Sequence, residues 1–141
     1  MINMKNRRDK MKKQFFIGLL MIAFTNLPAS AHHSGAMFDH TQLVEMTGVV
    51  KQFQYTNPHS WLIIDVTNDD GSVTTWGFEA EGPSSLLRAG IRRSDIPAGT
   101  EITIRGNPLT DGRPAAAWFD AVVDGETMNP LNGFAINPAS D

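Results

Sequence analysis

The sequence predicts an all-β domain with one short helix, in which five strands close into a small barrel. From residue 43 onward, short segments alternate apolar and polar residues and are separated by turn residues, a pattern typical of strands. One segment with helix-boundary signals interrupts the series after the third strand. The series occupies residues 43–123, enough for one small core, and the length of 141 residues predicts one domain.

The first strand is predicted over 43–55, where apolar residues occupy both alternating sets of positions. This pattern indicates a long, coiled strand, and Gly48 is placed to bend or bulge it. Strict alternation predicts two further strands over 61–67 and 72–80. Residues 68–71 read Asn-Asp-Asp-Gly and predict a hairpin turn, because Asn and Asp bond the local backbone and Gly accepts a positive φ.

A short helix is predicted over 84–89. Pro83 suits the first helical position, where its missing N–H would have no partner, and Gly82 is a possible N-cap. Gly90 is placed to end the helix. Both leucines of the segment are expected to be buried.

The last two strands are predicted over 100–106 and 115–123. The order of three strands, a helix and two strands predicts an OB-like fold, a five-stranded Greek-key barrel. The alternative is an antiparallel sheet with one helix packed on it. A flexible arm, residues 32–42, is expected before the barrel, and residues 124–141, with repeated Asn-Pro and Gly, predict a loose C-terminal tail.

Residues 1–31 have the three-part pattern of a secretory signal peptide. They hold six of the twelve Lys and Arg residues and one acidic residue, followed by an apolar run over 15–27. Pro28 and the small residues Ala29-Ser30-Ala31 then provide a cleavage site. The run is shorter than the roughly 20 residues of a spanning helix. Sec-type export to the periplasm is therefore predicted, with an uncleaved membrane anchor as the alternative.

The processed chain is predicted to be acidic. Beyond residue 31, six basic residues stand against fourteen acidic ones, a net charge of about −8. Binding to nucleic acid is not expected, because phosphate contacts need clustered cations. The absence of cysteine excludes disulfides, thiolate metal sites and a cysteine nucleophile. No other apolar segment is long enough to span a bilayer, so no stable membrane insertion is expected after cleavage.

Cleavage after Ala31 would make His32 the first residue of the mature chain. A terminal histidine offers its α-amine and its ring Nδ1 to one metal, and a metal can displace the proton of an amine whose pKa is about 8. A second imidazole, from His33 or His59, would complete a nitrogen plane that suits Cu(II). This arrangement resembles the histidine brace of periplasmic copper carriers and lytic polysaccharide monooxygenases, which implies copper as the cofactor. The alternative is a solvated terminus without a metal.

His59 is the preferred partner because Asn57-Pro58 sets a rigid turn before it, between the first two strands. A straight strand of thirteen residues spans roughly 40 Å, and the arm reaches about 36–40 Å when fully extended. His32 therefore meets His59 only if the arm folds back along the barrel or the strand is strongly coiled. A site of His32, His33 and His40 would need no such return. The alternative for His59 is a turn residue that caps backbone groups.

A metal-free binding module is the alternative function. Its barrel face would recognise a periplasmic protein or a small ligand, and Trp61, Trp76 and Glu79 are the candidate binding residues. Aromatic residues at strand positions are more often part of a core. No catalytic residues are predicted, because adjacent His59 and Ser60 do not have the geometry of a triad and the chain has no Gly-rich phosphate loop.

Several short motifs together resemble a family of small exported bacterial proteins of unknown function. In this sequence they are Ala31-His32-His33-Ser34, Phe38-Asp39, Thr47-Gly48-Val49-Val50, Asn57-Pro58-His59-Ser60-Trp61, Trp76-Gly77-Phe78-Glu79, Leu86-Leu87-Arg88-Ala89-Gly90 and Gly99-Thr100. The resemblance covers about residues 31–123 and brings no activity with it. His40 and the tail after Val123 are outside the pattern, so the resemblance favours His32, His33 and His59 as the informative histidines.

Overall fold

The computed structural model describes residues 35–139. The predicted signal peptide and its cleavage site, together with His32 and His33, lie outside the described residues. Among residues 35–139, no helix is both long enough and apolar enough to cross a membrane.

The described residues form six strands and one α-helix. The strands are β1 (Val44–Gln54), β2 (His59–Thr67), β3 (Val73–Glu81), β4 (Glu101–Pro108), β5 (Ala115–Val123) and β6 (Glu126–Met128). The helix α1 is Pro83–Arg88, and single turns of 3-10 helix cover Gly35–Met37 and Arg93–Asp95. The five predicted strands and the helix are confirmed, with their ends shifted by at most two residues. The strand β6 is additional.

Pairing between β3 and β5 closes the barrel. The strands follow the order β3-β2-β1-β4-β5-β6, and their neighbours along this order are antiparallel. Gly77 and Glu79 of β3 also pair in parallel with Ala115 and Ala117 of β5, so that β1 to β5 form a closed circuit. The predicted five-stranded barrel of OB-like element order is therefore confirmed, and the open sheet with one packed helix is excluded.

One bulge keeps the apolar side of β1 facing the core along its whole length. The register with β2 passes from Val50 directly to Gln52, which leaves Lys51 as the extra residue. Val50 before the bulge and Phe53 after it are both buried. The bulge explains why apolar residues occupy both alternating sets in the sequence. It lies three positions after Gly48, the residue to which the sequence assigned the bend.

The barrel interior forms the main core. Among its fully buried large side chains are Leu62, Ile64, Phe78, Leu86, Ile96, Ile102, Ile104 and Trp118, from β2 to β5, α1 and the segment before β4. Gly90 ends α1 with φ at +83°, as its position predicted. Of the two helix leucines only Leu86 is buried, whereas Leu87 is exposed, because six residues of helix present only one narrow face to the barrel.

The N-terminal arm, in its described part (residues 35–42), packs on the barrel. Phe38 is buried and forms a bridge with Leu109, just after β4. The Asp39 N–H donates to the Pro108 carbonyl at 2.8 Å. The arm was expected to be flexible, but in this part its one large aromatic residue and its backbone groups find partners at the end of β4.

The residues after β5 also pack on the barrel, in contrast to the loose tail predicted over 124–141. β6 pairs with the end of β5. The C-terminal strap, defined here as residues 129–139, follows it. Asn132 of the strap is buried, and its side-chain amide donates to the carbonyls of Glu79 at 2.9 Å and Trp118 at 3.2 Å. Amide side chains thus provide tertiary contacts in a segment whose composition is that of a loop.

Asn107 fastens the arm and the strap to β4. Its side chain is fully buried, and its Nδ2 donates to the carbonyls of Gln42 at 2.7 Å and Ile136 at 2.8 Å. Its Oδ1 accepts from the Ile136 N–H at 2.7 Å. One side chain therefore fixes both terminal segments against the same strand.

Candidate functional site

The candidate site lies on the outer face of the barrel, where β2 begins and β3 ends. Residues of the two strands alternate between the core and this face. On β2, His59 and Trp61 face outward, while their neighbours along the strand are buried. Across the strand pair, Glu81 lies opposite His59 and Glu79 lies opposite Trp61. Cross-strand partners share a face, so two carboxylates flank the histidine.

His59 is hydrogen-bonded to Glu79. The bond joins the ring Nδ1 to the carboxylate Oε1. A carboxylate accepts, so Nδ1 carries the proton and donates it, and the neutral ring then has its lone pair on Nε2. The side chain of Glu79 is only 6% exposed, whereas that of His59 is 28% exposed. The pair therefore consists of a buried acceptor and a partly exposed imidazole.

Phe134 of the C-terminal strap covers the histidine. Its ring centroid lies 5.4 Å from that of His59, with an angle of 40° between the planes. Phe134 is also stacked with Phe38 of the N-terminal arm, with ring centroids 6.0 Å apart. Phe134 and Phe38 belong to a small apolar cluster on the outer face, separate from the main core. The cluster also includes Leu109, Ala115, Ala117 and Ala135. Both terminal segments thus meet beside His59.

The beginning of the described chain lies next to this cluster. A Cβ atom added at Gly35 would lie 3.3 Å from the Cβ of Phe134. Phe134 therefore contacts Gly35 as well as His59. The described part of the arm folds back along the barrel. From the sequence, such a path is required if His32 is to meet His59. Gly35 therefore lies close to the residue that covers His59, although β1 is eleven residues long.

His40 has a structural role within the arm. Its Nε2 donates to the Gly35 carbonyl at 3.0 Å, which closes the turn of the arm. Next to it, hydrogen bonds from the side chain and backbone of Thr41 lower the pKa of Asp39. These contacts use His40 and Asp39 to shape the arm. A metal bound at Nε2 of His40 would have to replace the bond to Gly35.

The described residues do not form a complete metal site by themselves. Within 35–139, no group of three His, Asp or Glu side chains converges on one point. Of the predicted ligands, the structure places His59 beside the arm, while His32 and His33 lie outside the described residues.

The three residues predicted for a metal-free binding face do not share one surface. Trp61 and Glu79 are opposite each other on the outer face. Trp76 lies on the inner side, where it packs against the main core, 6.2 Å from the ring of Phe78. Trp61 itself lies across Gly77, where an added Cβ would be 3.2 Å from the indole. Every aromatic side chain in residues 35–139 is buried or half-buried.

A concave region of about 590 Å³ shares no residue with this site. It lies between the end of α1 and the β5–β6 hairpin, and charged residues of both signs line it, including Arg92, Asp95, Asp124 and Glu126. None of the predicted site residues contributes to it, so it is not part of the candidate site.

Sequence reasoning missed Asn132 and Phe134. Both lie in the predicted loose tail, and their contacts with Glu79 and His59 span more than fifty positions of chain. A period-based analysis detects only local patterns. The available signal was a single aromatic residue, Phe134, in the tail.

Comparisons with known proteins identify a family but no activity. A search of the curated proteins finds no match. A family model matches residues 20–117, which includes the arm, β1 to β4 and the start of β5. The C-terminal strap lies beyond the matched residues. Since the match covers more than half of the chain, the protein belongs to the family of unknown function DUF6152.

Proposed function

We propose that this is an exported periplasmic protein that binds Cu(II) through its processed N-terminus, for carriage or buffering of the metal. His32 supplies its α-amine and its ring nitrogen, and His59 or His33 supplies a second imidazole. One observation carries the proposal: the arm returns along the barrel, so that Gly35 and His59 both contact Phe134.

The chain before Gly35 is long enough to reach His59. His32 is three positions before Gly35, and three residues span up to about 10 Å. Gly35 and the His59 imidazole both contact the Phe134 side chain, so the described chain begins near the site. His33 needs no such reach, because it is adjacent to His32 in sequence.

His59 has the form expected of a metal-binding imidazole. Ligating histidines usually donate their other ring N–H to a carboxylate or carbonyl, which fixes the tautomer and the ring orientation. Glu79 provides this acceptor at Nδ1 and leaves Nε2 for a metal. An amine and two imidazoles are donors that suit Cu(II), which also binds most tightly in the divalent series.

A Cu(II) titration of protein exported and processed in a bacterial host tests the proposal. The N-terminus is confirmed by mass, and a matched sample carries one extra residue before His32. We expect one tight, nitrogen-ligated copper that is lost from the extended protein, because the extension converts the amine into an amide. Absence of tight copper, or binding indifferent to the extension, would contradict the proposal.

The second candidate is a metal-free module that binds a protein or small ligand at Trp61 and Glu79. The observation in its favour is that these two residues are neighbours on the outer face. In the described residues, however, Trp61 is half-buried and no aromatic platform accompanies it. This function becomes the working one if copper binding fails. A ligand bound there would change the tryptophan fluorescence of the wild-type protein, and that change should be absent from a Trp61→Phe variant.

A further inference from the structure

We propose that Glu79 and the C-terminal strap are positioning elements of the copper site: they hold the His59 imidazole with Nε2 as the metal-binding atom. The role in copper binding rests on the proposed function above, but the geometry of His59 can be measured without any metal. The strap would then be a functional part of the site, although it lies outside the residues that define the family.

The first observation is the burial of Glu79. It is the one acidic residue among those described that is buried, although it sits at an outward-facing position of β3. Burial of a carboxylate is costly unless the group is hydrogen-bonded. The side chain that engages it is His59. The Glu79 carboxylate is thus shielded from water and hydrogen-bonded to His59, which fixes the orientation of the imidazole.

The second observation is that the strap holds this part of β3. Asn132 donates to the backbone carbonyl of Glu79, and the next residue, Gly133, passes close to the carboxylate of Glu81, whose Oε1 would lie 3.7 Å from an added Cβ. Phe134 then covers the ring of His59. The strap thus contacts the backbone beside the acceptor as well as the imidazole.

Together these contacts restrict the imidazole in two ways. The bond from Nδ1 selects the tautomer that has its lone pair on Nε2. The Phe134 ring limits rotation of the imidazole about its side-chain bonds. No hydrogen bond within residues 35–139 engages Nε2 of His59, so this atom stays available to a ligand.

Nitrogen NMR of the metal-free protein, with labelled histidine, tests the positioning directly. Spectra are recorded over a series of pH values, and the tautomer is read from the nitrogen shifts of the neutral ring. We expect wild-type His59 to be protonated on Nδ1. In Glu79→Ala the acceptor is lost, and we expect a mixture of tautomers. Glu101→Ala is the matched control, because it removes an exposed carboxylate of β4, away from His59 and the strap.

The strap is tested by Phe134→Ala, with Leu131→Ala as its control. Leu131 belongs to the same segment but is 69% exposed. We expect Phe134→Ala to broaden the His59 signals and Leu131→Ala to leave them unchanged. Thermal unfolding confirms that each variant is folded. Should Glu79→Ala fail to fold, Glu79→Leu serves instead, since it keeps most of the side-chain volume and removes the acceptor.

Copper titrations of the same variants test the link to function. We expect Glu79→Ala and Phe134→Ala to weaken Cu(II) binding by about 10- to 100-fold, the range for partners of metal ligands. In copper-loaded Glu79→Ala, pulsed electron paramagnetic resonance should also show a change in the signal of Nδ1, the His59 nitrogen remote from the metal, because Nδ1 donates to Glu79 in the wild type. A purely structural role would leave this signature intact in the folded variants.

The outcomes separate the two proposals. If wild-type protein binds no tight copper, the proposed function fails, while the tautomer of His59 still reports on Glu79. If wild-type His59 is protonated on Nε2, or if the tautomer survives loss of the Glu79 carboxylate, the positioning role is overturned even where copper binds.

Discussion

At the scale of single residues, glycines at close strand contacts and buried side-chain amides determine how closely the segments of this protein approach one another. Gly48 is the clearest case. A Cβ atom there would lie 2.7 Å from the carbonyl oxygen of Asp65 and 3.2 Å from the Ile64 side chain. The obstacle is backbone of the neighbouring strand, so it cannot rotate away.

Replacement of Gly48 by Ala is therefore expected to destabilise the barrel by about 1–3 kcal/mol, the usual range for overpacking. Urea unfolding measures the change. Gly133→Ala is the control, because its new Cβ would lie at an ordinary 3.7 Å from Glu81. Equal free energies of unfolding in the two variants would contradict this prediction, because they would show that β1 and β2 can move apart to admit the new Cβ without loss of stability.

Tyr55 gives a residue-scale prediction about pH. Its hydroxyl donates to the Ile91 carbonyl at 2.9 Å and lies 3.2 Å from the Pro83 carbonyl. Burial raises the pKa of Tyr55 above its ordinary value of 10.0, and the negative charge of Asp95 raises it further. The neutral phenol is thus favoured in the folded state. Stability should begin to fall as the pH rises past about 10, where the unfolded tyrosine ionises, and should go on falling until the folded pKa is reached.

Thermal unfolding as a function of alkaline pH measures this loss. Tyr55→Phe is the matched variant: it lacks the ionisable group, so the part of the alkaline slope that belongs to Tyr55 should disappear. A slope that is the same in both proteins would assign the alkaline sensitivity to other groups.

At the scale of elements, the predicted and observed structures agree where the pattern is local and differ where contacts are distant. The alternation of β2, β3 and β5 and the boundary residues of α1 are local signals, and they located these elements to within two residues. The tail shows Asn, Pro and Gly, which predict turns. Its order comes from side-chain amides that bond backbone far away, as Asn132 does with Glu79. No periodicity reveals such contacts.

Asn107→Ala tests the element-scale account of the arm and the strap. The variant leaves three backbone groups of Gln42 and Ile136 without their buried partner. We expect a loss of about 1–3 kcal/mol and faster hydrogen exchange at the amides of Asp39 and Ile136, because both terminal segments loosen together.

The control for this prediction is Asn129→Ala. Asn129 accepts only a local, exposed bond from the Leu131 N–H, so its replacement should leave exchange in the arm unchanged. Loosening of the strap alone in Asn107→Ala would contradict the idea that one residue fastens both segments.

At the scale of the whole molecule, the closed barrel acts as a scaffold on which the two ends of the described segment, 35–42 and 129–139, pack together. The fold class followed from the order of elements, and His59 was predicted as a site residue from its turn. Glu79 was predicted only as part of a different surface, because the contact between β2 and β3 depends on strand register, which the sequence leaves open. The covering by Phe134 depends on the path of the strap and was not predictable.

The most direct test of the central claim compares copper-loaded, processed wild-type protein with its His59→Ala variant by electron paramagnetic resonance. The account predicts that the variant loses one coordinated imidazole nitrogen and binds copper more weakly, while the exposed control Leu131→Ala keeps the wild-type spectrum. Identical spectra from wild-type protein and His59→Ala would show that the barrel does not bring His59 to the metal.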